Sequence, residues 1–260
     1  MTSKHFSEDY LLELSKRKTW IVIPAAGIGR RFSEFKPKQY EEFFGQTILE
    51  FTLKKLLEIE HIKVIVAVNP KDSLWRNLSR LKHPSVEIVP GGKTRRDSVF
   101  FALEHIKERT GKFDWILVHD AVRPCVKVND IKNLFDQTSL PNDIGGILAT
   151  KVVGTLKRVE PCIIIGKNPH VSTIENLSIS EAQTPQLFHF KLLYEALEKS
   201  KIEDWVITDE ASAIERYLES GFPGLDNPVI VEGSRDNIKI TRPEDIAIAK
   251  AIIMNQQEKL

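Results

Sequence analysis

Cysteine is scarce in this chain: two residues in 260, Cys125 and Cys162, far apart and in no CxxC pattern. That excludes a disulfide framework and gives no sign of a zinc site, so both thiols are expected to be idle. A surplus of one charge is also missing. The 37 Lys and Arg stand against 36 Asp and Glu, a formal balance of +1, whereas proteins that bind phosphate backbones carry a basic excess. Nucleic acid is therefore not expected as a partner, and any anion site must be local. No apolar run approaches the length of a membrane span, and Met1 to Lys18 carries many charges without the uninterrupted apolar core of a signal peptide. The expectation is no membrane association and a cytoplasmic setting. Internal repeats and low-complexity linkers are absent too. A hydrophobic content of 42% suits one large domain, expected over 19–257 after a polar extension of 1–18.

What is present begins with Trp20-Ile-Val-Ile-Pro24, a short apolar run that reads as a strand buried on both faces. Ala25, Ala26, Gly27 and Gly29 follow, with almost no side-chain bulk, so that peptide N–H groups can approach a ligand closely. Arg30, Arg31, Lys36 and Lys38 come next. Bare backbone followed by clustered cations is a way to hold a polyphosphate: amides for the oxygens, guanidinium and ammonium groups for the charge.

The pattern then alternates. Thr47 can cap a helix whose Ile48, Leu49, Leu53, Leu56 and Leu57 share one face. Lys63 to Val68 reads as a second strand, a helix is expected between Pro70 and Pro84, and Val86 to Val89 reads as a third strand. Gly91-Gly92 opens a second loop, Lys93 to Ser98, leading into a helix through Val99, Ala102, Leu103 and Ile106. Trp115 to Val118 is another buried strand, ending in His119-Asp-Ala-Val-Arg-Pro124. Alternation of this kind predicts an α/β fold, a Rossmann-like, mostly parallel sheet with helices on both faces. Ligands in such sheets sit beyond the carboxyl ends of the strands, which selects the loops Ala25–Lys38, Gly91–Ser98 and Asp120–Pro124 together.

From Gly145 the helical spacing disappears. Residues 145–153, 155–159 and 163–165 read as strands, and 150–180 as a β-arm projecting from the sheet. An arm that cannot bury both faces alone suggests a partner chain. Helices return at Phe188–Leu197 and after Thr208-Asp-Glu-Ala-Ser212. Asn237–Ile240 reads as the last strand, and Thr241-Arg-Pro-Glu244 as the cap of the final helix.

The motifs PAAGIGRRF (24 to 32), PKQY (37 to 40), GGKTRRDSV (91 to 99), HDAVRP (119 to 124), ITDEAS (207 to 212) and NIKITRPED (237 to 245) occur in one order. In these the sequence, from about Trp20 to Ile253, resembles the 2-C-methyl-D-erythritol 4-phosphate cytidylyltransferase family of the non-mevalonate isoprenoid pathway. The resemblance implies a nucleotidyltransferase fold and transfer of a cytidylyl group from CTP to a small sugar-alcohol phosphate, with pyrophosphate released and Mg2+ required. It implies that Arg31 and Lys38 bind the triphosphate and that Lys239 stands at the α-phosphate. Ala25, Ala26, Gly27, Gly92 and Ser98 match the cytidine site, with Gly29 in the same loop. Asp120, Arg123, Thr155, Thr184 and Thr208 match the acceptor site, and a homodimer is implied in which the 150–180 arm completes the neighbour's site. Two positions depart from the family pattern. Asn176 stands where the family has an arginine for the acceptor phosphate, and Lys93 where it usually has an acid.

A phosphate monoester is mostly dianionic at neutral pH, its second pKa being about 6, so an acceptor of that kind needs no general base. The difficulty is to bring two anions together and to stabilise the departing pyrophosphate. Cations from separate loops, Arg31, Lys38 and Lys239, meet that need. Asp120 is the carboxylate candidate, either for the metal or for acceptor hydroxyls. Asp209 and Glu210 sit where a helix start favours acids, His119 reads as a residue that orients its loop, and Arg30 as a surface residue. Three other readings stand beside this one. A cytidylyltransferase for another polyol phosphate, such as ribitol 5-phosphate, is kept open by Asn176. A nicotinamide-binding module wants an acid at the end of the second strand, and here that strand ends Val66-Ala-Val-Asn-Pro70. A non-catalytic binding protein has no need of Arg31, Lys38 and Lys239 together.

Overall fold

The computed structural model describes residues 18–27, 32, 36–138, 140, 143–160, 169–175, 178–221 and 227–258. At its centre is β1 (Thr19–Ala25), in which Trp20, Ile21, Val22 and Ile23 are all buried. Successive side chains of a strand point to opposite faces, so this continuous apolar run feeds two cores. Trp20 and Val22 pack with one set of helices, Ile21 and Ile23 with another.

Around β1 the described residues form a sheet of seven strands. It contains β4 (Val64–Val68), β5 (Val86–Pro90), β6 (Trp115–Val118), β7 (Gly145–Lys151), β10 (Ser180–His189) and β11 (Val229–Glu232), in the order β11-β7-β10-β6-β1-β4-β5. Only β10 runs antiparallel to its neighbours, β6 and β7. The mostly parallel sheet is thus as the alternating pattern predicts. From β1 the chain moves outward through β4 to β5, then returns to place β6 on the other side of β1. Such a reversal opens a crevice at the carboxyl ends of the two flanking strands.

Helices cover both faces. Helix α1 (Ile48–Leu56) starts with a capping box in which Thr47 accepts from the Glu50 amide and Glu50 accepts from the Thr47 amide. Its Leu49, Leu53 and Leu56 join α3 (Val128–Gln137) in the core on the Ile21 side. Helices α2 (Arg95–Ile106), α4 (Phe190–Ile202) and α5 (Glu210–Glu219) fill the Trp20 side. Helix α6 (Asp245–Gln257) sets Ala249 and Ile253 in a third cluster with Phe43, Phe51, Val122 and Ile240. A small ladder of β2 (Glu42–Phe43) and β3 (Gln46–Thr47) precedes α1. No helix among the described residues is long and apolar enough to cross a membrane.

Outside this body β8 (Leu156–Glu160) and β9 (His170–Ile174) pair antiparallel as a separate two-stranded sheet. Its Val159 and Val171 are exposed. This sheet falls within the stretch expected as an arm over 150–180; the strand expected at 163–165 and the departure at Asn176 lie outside the described residues, as do Cys162 and most of the 1–18 extension.

Three expectations are corrected. Between Pro70 and Pro84 there is no α-helix but two 3-10 turns, Leu74–Asn77 and Ser79–Lys82. Asn69 and Asp72 supply the reason, because their side chains accept from the amides of Lys71 and Leu74 and so fold the backbone locally. Asn237–Ile240 is not a strand, since its backbone joins the body through single bonds such as Ile240 N–H to the Val122 carbonyl at 2.9 Å rather than through a ladder; the last strand is β11. The capping box expected between Thr241 and Glu244 does not form: the Thr241 amide and hydroxyl donate instead to the carboxylate of Asp245, the first residue of α6.

Gly145 opens β7 with φ +141, and a Cβ there would lie 2.1 Å from the Leu187 carbonyl oxygen. Gly145→Ala is expected to lower the unfolding free energy by about 2 kcal/mol or more in urea titration; a loss below about 0.5 kcal/mol would show that the β7–β10 pairing is not this tight.

Candidate active site

Four loops leave the carboxyl ends of β1, β4, β5 and β6 and enclose a cleft of about 970 Å³. The first supplies Ala25, Ala26 and Gly27, and the space over Gly27 is open. Gln39 fixes this loop: its buried amide donates to the carbonyls of Ala25 at 2.8 Å and Gly27 at 3.0 Å. The loop after β5 turns into α2 through Gly91 and Gly92. A Cβ at Gly91 would lie 2.4 Å from that of Ala26, and one at Gly92 2.2 Å from that of Asp97, so this tight approach requires glycine. Thr94 and Asp97 form a capping box, and Ser98 Oγ accepts from the Gly92 amide at 3.1 Å while donating to the Thr94 carbonyl at 2.9 Å. The first turn of α2 thereby lines the cleft, an arrangement suited to anions.

Two lysines about 200 positions apart also line the cleft, Lys38 from the first loop and Lys239 from the segment before α6. Lys38 Nζ donates to the Ile240 carbonyl at 2.9 Å, tying the two segments together. Lys239 Nζ lies 2.9 Å from Asp120 Oδ2. Lys36, by contrast, pairs with Glu41 at 3.7 Å and does not line the cleft. Arg30, Arg31 and Gly29 lie outside the described residues.

Asp120 is the hub. It is buried, and besides Lys239 it meets Arg95 Nε at 2.9 Å and Arg123 Nε at 3.4 Å. Burial raises a carboxyl pKa, but the charges of Arg95, Lys239 and Arg123 outweigh it and hold this one well below the usual carboxylate range. Arg95 in turn is gripped by both oxygens of buried Glu210, Nη1 at 2.6 Å and Nη2 at 2.9 Å. Burial alone would weaken the guanidinium's hold on its proton, and the two carboxylates reverse that, so it remains a cation. The described residues contain no group of three or more His, Cys, Asp or Glu suited to a metal ion. With both Asp120 oxygens already facing cations, this carboxylate offers no open edge for a divalent ion.

Behind Asp120 the loop is held by neutral partners. His119 Nε2 lies 3.1 Å from the Arg123 carbonyl, which can only accept, so that nitrogen carries the proton. The other ring nitrogen then accepts from Thr184 Oγ1 at 3.1 Å, and Thr184 Oγ1 accepts from the Asp120 amide at 3.0 Å. Burial pulls the His119 pKa down to about 4. Arg123 Nη1 donates to the Asn237 carbonyl at 2.6 Å, and Asn237 Nδ2 donates to the Thr184 carbonyl at 2.8 Å. The neighbouring Cys125 is buried with its thiol pushed up to about 12 by burial, an idle thiol as expected.

The cleft therefore gathers Ala25, Ala26, Gly27, Gly92, Ser98, Lys38, Asp120 and Lys239. Arg123 and Thr184 support it from behind. Thr208 is exposed and lines an adjoining recess of about 300 Å³ that shares Thr94 and Arg95 with the cleft. Thr155 is exposed at the root of the arm, away from both. Sequence reasoning missed Gln39, Arg95 and Glu210. Arg95 had one signal, since a cation in the first turn of a helix opposes the macrodipole and needs another reason to be there. Glu210 had none, because an acid at a helix start is already explained; its role is the Arg95 clamp, while Asp209 is the cap.

A sequence profile of the family 2-C-methyl-D-erythritol 4-phosphate cytidylyltransferase matches residues 19–255. The chain belongs to this family. It is 40% identical over 239 residues to such a protein of Vibrio vulnificus, covering 92% of this chain and 95% of that one. With one of Salmonella typhimurium the identity is 43% over 230 residues, 88% of this chain and 91% of the relative. Among solved structures, the Francisella tularensis member superposes with TM-score 0.74 at 36% identity, covering 90% of this chain and 99% of that chain.

Arg95→Met would leave two carboxylates buried without their shared cation and is expected to cost about 3–5 kcal/mol of stability, read by urea unfolding, with Arg95→Lys intermediate; a cost below about 1 kcal/mol would deny the clamp. The His119 group titrates near pH 4 folded and 6.5 ordinarily, so between these values the unfolded chain binds more protons. Stability should be complete above pH 6.5 and fall toward pH 4, by at most about 1.4 kcal/mol per unit. His119→Gln should flatten that window, and an unchanged slope would contradict the buried neutral ring.

Proposed function

We propose that the cleft transfers a cytidylyl group from CTP to 2-C-methyl-D-erythritol 4-phosphate, in isoprenoid precursor synthesis. The observation that carries this is the meeting of Lys38 and Lys239 beside bare backbone and a helix start, in a chain of this family. An oxygen of the acceptor phosphate attacks the α-phosphorus. The bond to the oxygen bridging the α- and β-phosphorus atoms breaks, and pyrophosphate leaves. The acceptor is already anionic, so no base is required. His119 is not one, since both ring nitrogens are engaged within the loop.

Lys239 stabilises charge at the α-phosphate and Lys38 at the leaving pyrophosphate, with Arg31 as the third cation. Ala25, Ala26, Gly27, Gly29, Gly92 and Ser98 receive the cytidine. Asp120 holds Lys239 at the acceptor side of the cleft, Arg123 and Thr184 fix the loop, and Thr208 faces the adjoining recess. Mg2+ would be the metal, entering with the triphosphate and neutralising phosphate charge there; among the described residues no group of three or more His, Cys, Asp or Glu would cage it. The protein acts as a homodimer, because the β8–β9 arm exposes Val159 and Val171 and its root residue Thr155 is free to reach a neighbouring copy. Asn176 favours one second reading, ribitol 5-phosphate as acceptor.

Replacing Lys239 or Lys38 by Ala is expected to lower kcat about 10²–10³-fold in a pyrophosphate-release assay with CTP and each acceptor, with the fold intact by circular dichroism. Near-normal turnover would remove that lysine from the mechanism, and faster turnover with ribitol 5-phosphate would reassign the acceptor.

A further inference from the structure

On the far side of α1 from the cleft, Lys55 runs inward between α1, α6 and the segment after β6. Its ammonium donates to the Val126 carbonyl at 2.9 Å and to Gln256 Oε1 at 3.2 Å. Both acceptors are neutral, and among the described residues no carboxylate forms an ion pair with it. An ammonium has three N–H donors, and beside these two acceptors the Phe51 ring lies 5.8 Å from Nζ. Burial pulls the Lys55 pKa below the ordinary lysine value, with Lys127 acting the same way and Glu58 against it. Lys55 is half-buried, and withdrawing a cation from water without a counter-ion is costly, so an anion reaching it would relieve that cost.

That place is a pocket of about 570 Å³ lined by Lys54, Lys55 and Lys127, within the size range of small-molecule sites. Phe51, Val126, Val128 and Ile253 form its apolar wall. Of its two acids, Asp236 is already paired with Lys127 at 2.8 Å, and Glu58 is exposed. We propose that this pocket binds a small organic anion, a carboxylate or phosphate head on a short aliphatic body, with Lys55 taking the head and the Phe51–Ile253 wall taking the body.

The pocket is joined to the Asp120 loop by side-chain bonds to its carbonyls. Thr52 Oγ1 donates to the Ala121 carbonyl at 3.0 Å, Gln256 Nε2 to the Cys125 carbonyl at 3.0 Å, and Lys55 to Val126. The two helices that hold these carbonyls, α1 and α6, also line the pocket, so an occupant tightens the loop carrying Asp120 and Arg123.

Isothermal titration with hexanoate and hexyl phosphate tests this, with CTP and Mg2+ present at saturation to fill the nucleotide cleft and hexan-1-ol as the neutral control. The expected result is saturable binding of at least one anion with Kd of about 1 mM or tighter and none of the alcohol. Lys55→Met should weaken it at least about tenfold, and amide exchange over residues 121–126 should slow in the wild type only. Lys127→Ala, a half-buried position at the pocket edge, serves if Lys55→Met does not fold, and should weaken binding in the same direction. Absence of saturable binding by both anions, equal affinity in the folded variants, or hexan-1-ol binding as tightly as the anions would overturn the proposal.

Discussion

A single buried carboxylate, Asp120, with cations arriving from three separate parts of the chain, is the interaction on which the cleft depends. Arg95 comes from the start of α2, Arg123 from the same loop as Asp120, and Lys239 from the segment before α6. Glu210 adds a second carboxylate through Arg95. Three cations against two anions leave the cluster with one positive charge. In a site partly closed to water that surplus acts on an incoming phosphate far more strongly than a surface charge would. The near-zero balance of the whole chain and a strongly anion-seeking cleft are therefore compatible: the charge is concentrated rather than abundant.

Most groups around the cluster are hydrogen-bonded, the exception being Asn237 Oδ1, which is buried without a partner. The ordering of donors through His119, Thr184 and the Asp120 amide fixes the backbone that carries the carboxylate. The Asn237 bonds fix the segment that carries Lys239. Each of these side chains is buried, where an unmade hydrogen bond is expensive, so the bonds that are made hold the cations in position before any ligand enters. Preorganised charge of this kind is the principal resource for a reaction in which no proton needs to be moved.

The sheet was legible because parallel strands buried on both faces leave continuous apolar runs, as at Trp20–Ile23 and Trp115–Val118, and because glycines and capping residues mark the turns between them. The cleft loops followed from strand ends. Less legible was whatever depends on distant partners. Glu210 meets Arg95 across 115 positions, and nothing near Glu210 in the sequence distinguishes a clamp from an ordinary helix-start acid. Asn237–Ile240 has the alternation of a strand but lies against the loop after β6 through isolated bonds. The stretch after Pro70 has helical composition, yet Asn69 and Asp72 fold it into successive Asx turns and it forms only two 3-10 turns.

Thr155 lies exposed at the root of the arm, outside the cleft. The cations, in contrast, belong to one chain, and they carry the central claim. A crystal structure with a CTP analogue whose bond between the α- and β-phosphates resists cleavage would test that claim most directly. The predicted complex has Lys38 and Lys239 each at hydrogen-bonding distance, about 3 Å, from triphosphate oxygens, with Arg95 still bound to Asp120 and Glu210. A triphosphate seated elsewhere, with both ammonium groups facing away from every phosphate, would contradict it.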